Sequence, residues 1–266
     1  MLSSDIGEFT LTMHLFLRDP HWRLVAVLLF GMTPAMTFAG CKDPAGVQVN
    51  WSNCDKKGAQ LAGNELRNAV FNGANFENAN LSKVLATGTD FGFANLKHAT
   101  LSEIQAELAH FVTANLTGAN LKAANLAGAR FDRAILVDAD FSQAQLDKAS
   151  FYNANASQAR FNKARLIGAN AELANFSRAN FDEADLTGAR FLNTNLEKTS
   201  MRGANLTKVK FEGALLNGAD LSNANLTNAN LSNASLIGTQ FEGAQLGNAI
   251  WSNYKRCRPG SVGVCE

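Results

Sequence analysis

Residues 220–235 read DLSNANLTNANLSNAS, a stretch that repeats itself every five residues. An α-helix places residues five apart about 140° from one another, and a flat strand places them on opposite faces because five is odd. Neither element can use this period. Short extended segments that turn after each repeat would instead point every leucine of the stretch toward one interior.

The same phase continues from Leu61 to Trp251 without an insertion or deletion. Its 39 central positions hold 20 Leu, 13 Phe, four Ala, one Met and one Trp. A small side chain precedes each centre by two residues and is Ala in 31 of the 39 repeats, and Asn or Asp most often lies between the two. The unit A(N/D)(L/F)xx predicts a coil that stacks on itself and buries both inward positions.

The number of sides follows from which spacing aligns similar central residues, because stacked residues should resemble one another. A spacing of 20 gives coherent columns, whereas 15 mixes them, so four sides are expected. Where one column carries Ala86 and Ala106, the preceding small position is enlarged to Val84 and Ile104, which restores interior volume. We name the most aromatic column the Phe-rich side, and its central residues are Trp51, Phe71, Phe91, Phe111, Phe131, Phe151, Ala171, Phe191, Phe211, Leu231 and Trp251.

This unbroken tandem unit resembles the pentapeptide-repeat proteins over about 190 of the 266 residues. The resemblance implies an all-β fold, a right-handed quadrilateral parallel β-helix with Phe or Leu at the centre of each side. About ten coils of 20 residues, roughly 4.8 Å apart, are expected for residues 61–251. The residues before the centres suit tight corners, and one column predicts a ladder of side chains between coils; its members are Asn75, Asn95, Asn115, Asn155, Asn175 and Asn195.

The N-terminus differs in kind. Residues 21–40, HWRLVAVLLFGMTPAMTFAG, contain basic residues, a short apolar run and then small residues. This order predicts a signal peptide over residues 1–40, with Met13 as an alternative start, and a periplasmic or secreted bacterial protein. The apolar run is shorter than a membrane span requires, so a short transmembrane anchor is the weaker interpretation, and no span is expected after signal cleavage.

All four cysteines lie outside the repeats. Pairing Cys41 with Cys54, and Cys257 with Cys265, would close two loops that serve as end caps, over residues 41–60 and 252–266. Two alternatives stay open. The sequence FAGC at residues 38–41 is similar to a lipoprotein cleavage box, which would make a lipid-anchored envelope protein through Cys41, and four thiolates could bind a metal although their spacing is atypical.

The sequence contains no arrangement that predicts catalysis. After signal removal only His98 and His110 remain, and the register places them on different sides of the coil. Catalytic residues usually lie on loops held by a scaffold, and the repeats contain no inserted loop. We therefore expect no enzyme activity, no catalytic or metal-binding residues and no cofactor.

The net charge argues against nucleic acid as a partner and against mimicry of it. Known pentapeptide-repeat proteins that resemble DNA bind DNA gyrase, and such mimicry needs a strongly acidic surface. Removal of residues 1–40 changes the formal net charge of this chain from +1 to +2. A near-neutral surface disfavours both a topoisomerase-binding DNA mimic, which remains an alternative, and a DNA-binding protein.

One group of outward residues on the Phe-rich side is apolar, with Arg130, Arg133, Arg190 and Lys210 near it. Isolated apolar residues on a surface are normal, but a row of them indicates an interface. The sequence therefore predicts an exported structural or interaction scaffold that binds an unknown protein partner or a second copy through Phe93, Val112, Tyr152, Leu173 and Leu192.

Overall fold

A computed structural model describes residues 40–266 of the chain. Parallel backbone bridges join the residue before each centre to its equivalent 20 residues further on, from Asn50 with Val70 to Asn230 with Ile250. This spacing agrees with the predicted coil of four five-residue sides. The predicted signal peptide lies outside the described residues apart from Gly40. No helix in residues 40–266 is long and apolar enough to cross a membrane.

Four sides follow one another in chain order around the coil. The Phe-rich side is followed by side 2, whose central residues run every 20 residues from Phe76 to Leu236. Side 3 runs from Leu61 to Phe241, and side 4 from Leu66 to Leu246. The regular coil includes residues that the sequence pattern assigned to the N-terminal cap, because Asn50 already pairs with the next coil.

Each pentapeptide satisfies its backbone within its own turn and through the two neighbouring coils. The Phe71 N–H donates to the Asp90 carbonyl of the next coil at 2.7 Å, and the Asn75 N–H donates to the Cys54 carbonyl of the previous coil at 2.9 Å. The Ala74 N–H donates across the corner to the Phe71 carbonyl at 2.9 Å. Every inner coil therefore depends on a coil above it and a coil below it.

The corners are β-turns with a left-handed residue. The residue two positions after each centre has a positive φ without exception from Gln48 to Asn248. Type II turns require such a φ at their third position, which Gly adopts freely and Asn tolerates. This explains why Gly and Asn recur at that position of the repeat.

The residue before each centre has the two roles that the sequence predicts. The Oδ1 atoms of Asn75 and Asn175 accept the N–H two residues further on, at 3.2 and 3.0 Å, which holds the turn. The predicted ladder is present where Asn95 donates to Asn75 at 3.0 Å and Asn175 donates to Asn155 at 3.2 Å. Side chains before the centres therefore hold both the corner and the contact between coils.

The core is a continuous stack along the coil axis. All central residues from Leu61 to Leu231 are buried. On the Phe-rich side the ring centroids of Phe91 and Phe111 lie 4.8 Å apart with an interplanar angle of 3°, and those of Phe111 and Phe131 lie 4.9 Å apart. From Phe91 to Phe151, successive coils therefore stack phenylalanine rings face to face at about the spacing of the backbone ladder.

Ala171 interrupts the aromatic stack, and an aromatic ring from side 2 fills the interior space that its small side chain leaves. Phe176, on side 2, lies 5.9 Å from Phe151 and 5.8 Å from Phe191, the residues directly below and above Ala171. Its ring also lies 5.4 Å from Phe181. The interior volume is thus shared between sides, which a column read by itself does not reveal.

The C-terminal segment covers the last coil on two of its four sides. It turns back after Trp251 and pairs antiparallel with the coil through Arg256 with Ile250 and Val262 with Gln245. Over the other two sides the last coil is more open. Leu236 on side 2 and Phe241 on side 3 are only partly buried, in contrast to the expectation that every central residue is enclosed.

Candidate functional site

The five residues predicted as an interface lie on one corner of the Phe-rich side. Phe93, Tyr152 and Leu173 are 63%, 37% and 45% exposed, and Val112 and Leu192 are partly buried. They follow the buried central residues of their pentapeptides by one or two positions. Because those positions form the corner turn, the side chains project from the edge of the side. We name these five residues the apolar strip.

Backbone hydrogen bonds place the members of the apolar strip in successive coils. The Phe93 N–H donates to the Val112 carbonyl at 3.0 Å, and the Leu173 N–H donates to the Leu192 carbonyl at 3.0 Å. Between these two pairs, the Arg133 N–H donates to the Tyr152 carbonyl at 2.9 Å. The strip therefore crosses six coils, and the coil of Arg133 is its polar interruption.

Ion pairs neutralise part of the charge beside the strip. Arg130 lies 2.7 Å from Asp132, and Arg190 lies 3.3 Å from Glu172. Both guanidinium groups remain about half exposed, at 54% and 47%. Exposed ion pairs of this kind contribute at most about 1 kcal/mol to stability, so these arginines can exchange their partners at low cost.

Two members of the strip have a backbone conformation that is unfavourable for large side chains. Phe93 and Leu173 have φ angles of 56° and 61°, a region that bulky residues rarely adopt. The same corner carries Gly213, which adopts that φ without strain. The coil therefore does not require a large apolar residue at these two positions, and folding alone does not explain them.

The charged groups with shifted pKa values lie away from the strip. On side 3, burial opposes the charged form of Asp182, but hydrogen bonds from Arg202 and Ser200 outweigh it and hold the pKa of that carboxyl below its usual value. In the same way, hydrogen bonds from Ser142 and the charge of Arg160 lower the pKa of Asp140. Each arginine lies in the coil next to its carboxylate, so these groups link coils.

The structure separates the remaining candidates for chemistry. His98 lies at the corner of side 2 and His110 on the Phe-rich side, as the register predicts. Within residues 40–266, no group of three or more His, Cys, Asp or Glu side chains is placed to hold a metal ion. The apolar strip offers burial of surface and a few hydrogen bonds, which is the chemistry of binding.

Both predicted cysteine pairs lie at disulfide distance. The Cα atoms of Cys41 and Cys54 are 5.4 Å apart, and those of Cys257 and Cys265 are 4.8 Å apart. The sequence did not reveal a further contact at the N-terminal loop. Lys56 Nζ lies 3.6 Å from the Trp51 ring centroid and donates to the Cys41 carbonyl at 2.8 Å, while burial lowers the pKa of its amino group.

Further exposed apolar residues, Leu108 and Ile237 among them, were missed from the sequence. Leu108 on side 4 is 62% exposed, and its Cδ2 atom would lie 2.8 Å from a Cβ atom at Gly128, so it rests on the glycine of the next coil. Ile237 on side 2 is 77% exposed at the open part of the last coil. The available signal was a large aliphatic residue at a turn position.

The pentapeptide repeat model matches eight copies in the chain, over residues 65–103, 114–151, 144–181, 174–213 and 214–250. The chain therefore belongs to the pentapeptide repeat family. No match was found among curated protein sequences.

Solved structures of pentapeptide repeat proteins resemble this chain. HetL, involved in heterocyst differentiation regulation in the cyanobacterium Nostoc sp. strain PCC 7120, is 28% identical with a TM-score of 0.56, over 74% of this chain and 92% of HetL. A protein of the Arabidopsis thaliana thylakoid lumen is 34% identical over 36% of this chain and 64% of its own, with a TM-score of 0.30. QnrB1, a plasmid-mediated fluoroquinolone resistance protein, is 22% identical over 69% of this chain and 94% of its own, with a TM-score of 0.43. The likeness to HetL supports a right-handed β-helix.

Proposed function

We propose that this protein is a non-enzymatic scaffold, exported to the bacterial periplasm or beyond, that binds a protein partner through the apolar strip. The observation that carries the proposal is the row of five apolar side chains along one corner of the Phe-rich side, two of which, Phe93 and Leu173, are exposed at a backbone conformation that glycine adopts more easily. A row of apolar residues that does not serve the core is expected where a surface is used for binding.

The cysteines support the location. Disulfides persist in oxidising compartments such as the periplasm, and both pairs lie at disulfide distance. Cys41 faces Cys54 in this arrangement, which favours a disulfide over the alternative of a lipid anchor on Cys41. The mixture of charges on all four sides disfavours the other alternative, a topoisomerase-binding DNA mimic.

A pair of matched variants tests the binding surface. Leu173→Gly removes an apolar side chain from the strip at a φ of 61°, and Leu108→Gly makes the same change at a φ of 58° on side 4. Because glycine suits both conformations, each variant should melt at the wild-type temperature or slightly above it.

The readout is site-specific photo-crosslinking in the native host, with a benzophenone amino acid in place of Tyr152. We expect one discrete crosslinked partner, which Leu173→Gly reduces at least about tenfold and Leu108→Gly does not. Equal crosslinking in all three backgrounds would overturn the proposal that the strip binds a partner.

Intact mass of protein from fractionated cells, with and without reduction before alkylation, tests export. A chain that starts near Gly40 or Cys41 and takes up four alkyl groups only after reduction is expected. Acyl chains on Cys41 would establish the lipid-anchored alternative. An uncleaved chain with four free thiols would contradict export and favour the cytoplasmic alternative.

A further inference from the structure

We propose that the Phe-rich sides of two copies of this chain pack face to face with their coils running antiparallel. The two-fold axis passes between the coil of Phe131 and the coil of Phe151. This inference rests on the surface assigned under the proposed function, and it names a second copy as an occupant of that surface. It follows from the order of the outward residues along the side. When a second copy presents the same residues in the reverse coil order, opposite charges face each other.

The symmetry determines which residues meet. A two-fold axis perpendicular to the coil axis keeps each column against the same column and reverses the order of the coils. Asp90 of one copy then faces the partner's Arg190, and Arg190 faces the partner's Asp90. Near the axis, Asp132 faces the partner's Tyr152, whose hydroxyl group is a donor for a carboxylate.

Charge complementarity favours this packing. Asp90 and Arg190 meet twice in the dimer, and from the coil of Trp51 to that of Leu231 no facing pair carries like charges. The Asp90 Oδ1 atom accepts the Gly92 N–H at 2.8 Å, which holds the carboxylate at the surface. Arg190 is about half exposed and paired only across the surface with Glu172, so it can reach a second carboxylate.

Other registers are penalised. Moving the partner by one coil in one direction places Arg130 and Arg133 opposite their own copies. Moving it by one coil in the other direction places Asp132 opposite the partner's Glu172. Like charges that face each other in an interface cost several kcal/mol, so the proposed register is favoured over both of its neighbours.

The apolar strip also fits its reverse. Gly92, which has no side chain, faces the partner's Leu192 beside Phe93, and Thr113 faces the partner's Leu173. Phe93 of one copy therefore packs beside the partner's Leu192, whereas Val112 faces the partner's Glu172, whose carboxylate is paired with Arg190. Arg133, the polar interruption of the strip, lies next to the two-fold axis. There it faces the partner's Asn153 and lies close to the partner's Tyr152.

The available area suits a weak dimer. Ten coils at about 4.8 Å give a side about 48 Å long, and a side about 12 Å wide buries about 580 Å² on each copy. The total of about 1,150 Å² lies near the lower limit for a specific interface. We therefore expect reversible dimers rather than an obligate assembly.

Sedimentation equilibrium of the full chain, from about 1 µM to about 1 mM, tests the charge pairing. Asp90→Arg and Arg190→Asp should each raise the dimer dissociation constant at least about tenfold, because each brings like charges together. The double exchange Asp90→Arg with Arg190→Asp should restore dimerisation. Asp185→Arg is the matched control, since Asp185 also accepts the N–H two residues further on, but on side 4.

Spin-label distances test the antiparallel order. Labels at Asn153 should lie about one coil apart along the dimer, whereas labels at Asn233, the same turn position four coils further on, should lie about 43 Å apart. Short distances for both labels would overturn the antiparallel packing. A monomeric wild type, failure of the double exchange to restore dimers, or an equal effect of Asp185→Arg would overturn the dimer.

The two proposals fail separately. If the wild type is monomeric while Leu173→Gly still abolishes the crosslink at Tyr152, the strip binds a different protein and only the dimer is wrong. If the crosslinked partner is a second copy and the double exchange restores it, both proposals stand.

Discussion

The middle coils around Phe176 and the last coil around Phe241 contain the same pentapeptide, but their central rings differ in burial. Phe176 is fully buried and lies within 6 Å of the Phe151, Phe161, Phe181 and Phe191 ring centroids. Phe241 is only partly buried and has one ring neighbour, Trp251, at 5.1 Å. The comparison teaches that a repeat contributes its full stability only when another coil covers it.

The largest expected effect is the difference between two truncations. Phe176→Ala should lower the free energy of unfolding by about 3–5 kcal/mol. The truncation leaves a cavity among the surrounding rings, and the small side chain of Ala171 in the same coil cannot fill it. Phe241→Ala should cost about 1–2 kcal/mol, since its ring is already partly in water. Urea titrations of both variants measure the difference. Equal costs would contradict the comparison between covered and open coils.

Removal of the C-terminal disulfide should weaken only the end of the molecule. Cys257→Ser with Cys265→Ser should lower local stability there by about 2–3 kcal/mol, because the closed loop no longer restrains the segment over the last coil. Hydrogen exchange is the measurement. The Leu246 amide, which donates to the Ser261 carbonyl, should exchange faster, and the Phe151 amide should not. Faster exchange throughout would show that the coils unfold as one unit.

The stability of a covered coil should depend on the total side-chain volume in its interior rather than on the residue at one position. Val84→Ala should cost about 2 kcal/mol, because Val84 fills the space beside Ala86 and both are fully buried. Combining it with Ala86→Val should return at least half of that loss, since the added methyl groups occupy the same interior. Thermal unfolding of the two single variants and the double variant measures the coupling. Additive losses would show that the two positions do not share one space.

The smallest effect concerns the ionic contact between middle coils. The pKa of Asp182 is lowered in the folded protein, so its stabilisation is present above the unfolded pKa of about 4 and is lost as the pH falls through the folded pKa. The contact is partly exposed, and we expect a few tenths of a kcal/mol to about 1 kcal/mol. Asp182→Asn should be less stable than wild type at pH 7 and should lose that deficit at pH 2, in parallel unfolding titrations. A deficit that persists at low pH would assign the loss to packing.

Much of the fold follows from the sequence because each pentapeptide carries its own instructions. Alternation of a small residue, a turn-holding Asn and a large centre specifies a local bend and an inward side chain, and the unbroken phase leaves one way to stack them. The compensation at Val84 and Ala86 was visible because both positions lie on one side of one coil. The sequence did not show that the Phe176 ring occupies the interior space beside Ala171, because Phe176 belongs to a different side of the coil.

The sequence alone determined the 20-residue period and the inward residues, and it predicted the cysteine pairs and the five residues of the apolar strip, since all of these depend on local spacing. Only the tertiary structure decided which of them are covered. Leu236 and Phe241 match the repeat as well as any other pentapeptide, yet the segment after Trp251 turns back over the other two sides and leaves them partly exposed. Likewise, Phe93 and Leu173 are exposed at a corner position that Gly213 occupies in the same column, so the fold does not require these side chains. The reason is physical: periodicity specifies where a side chain points, whereas its burial depends on whether another coil or segment covers it in space.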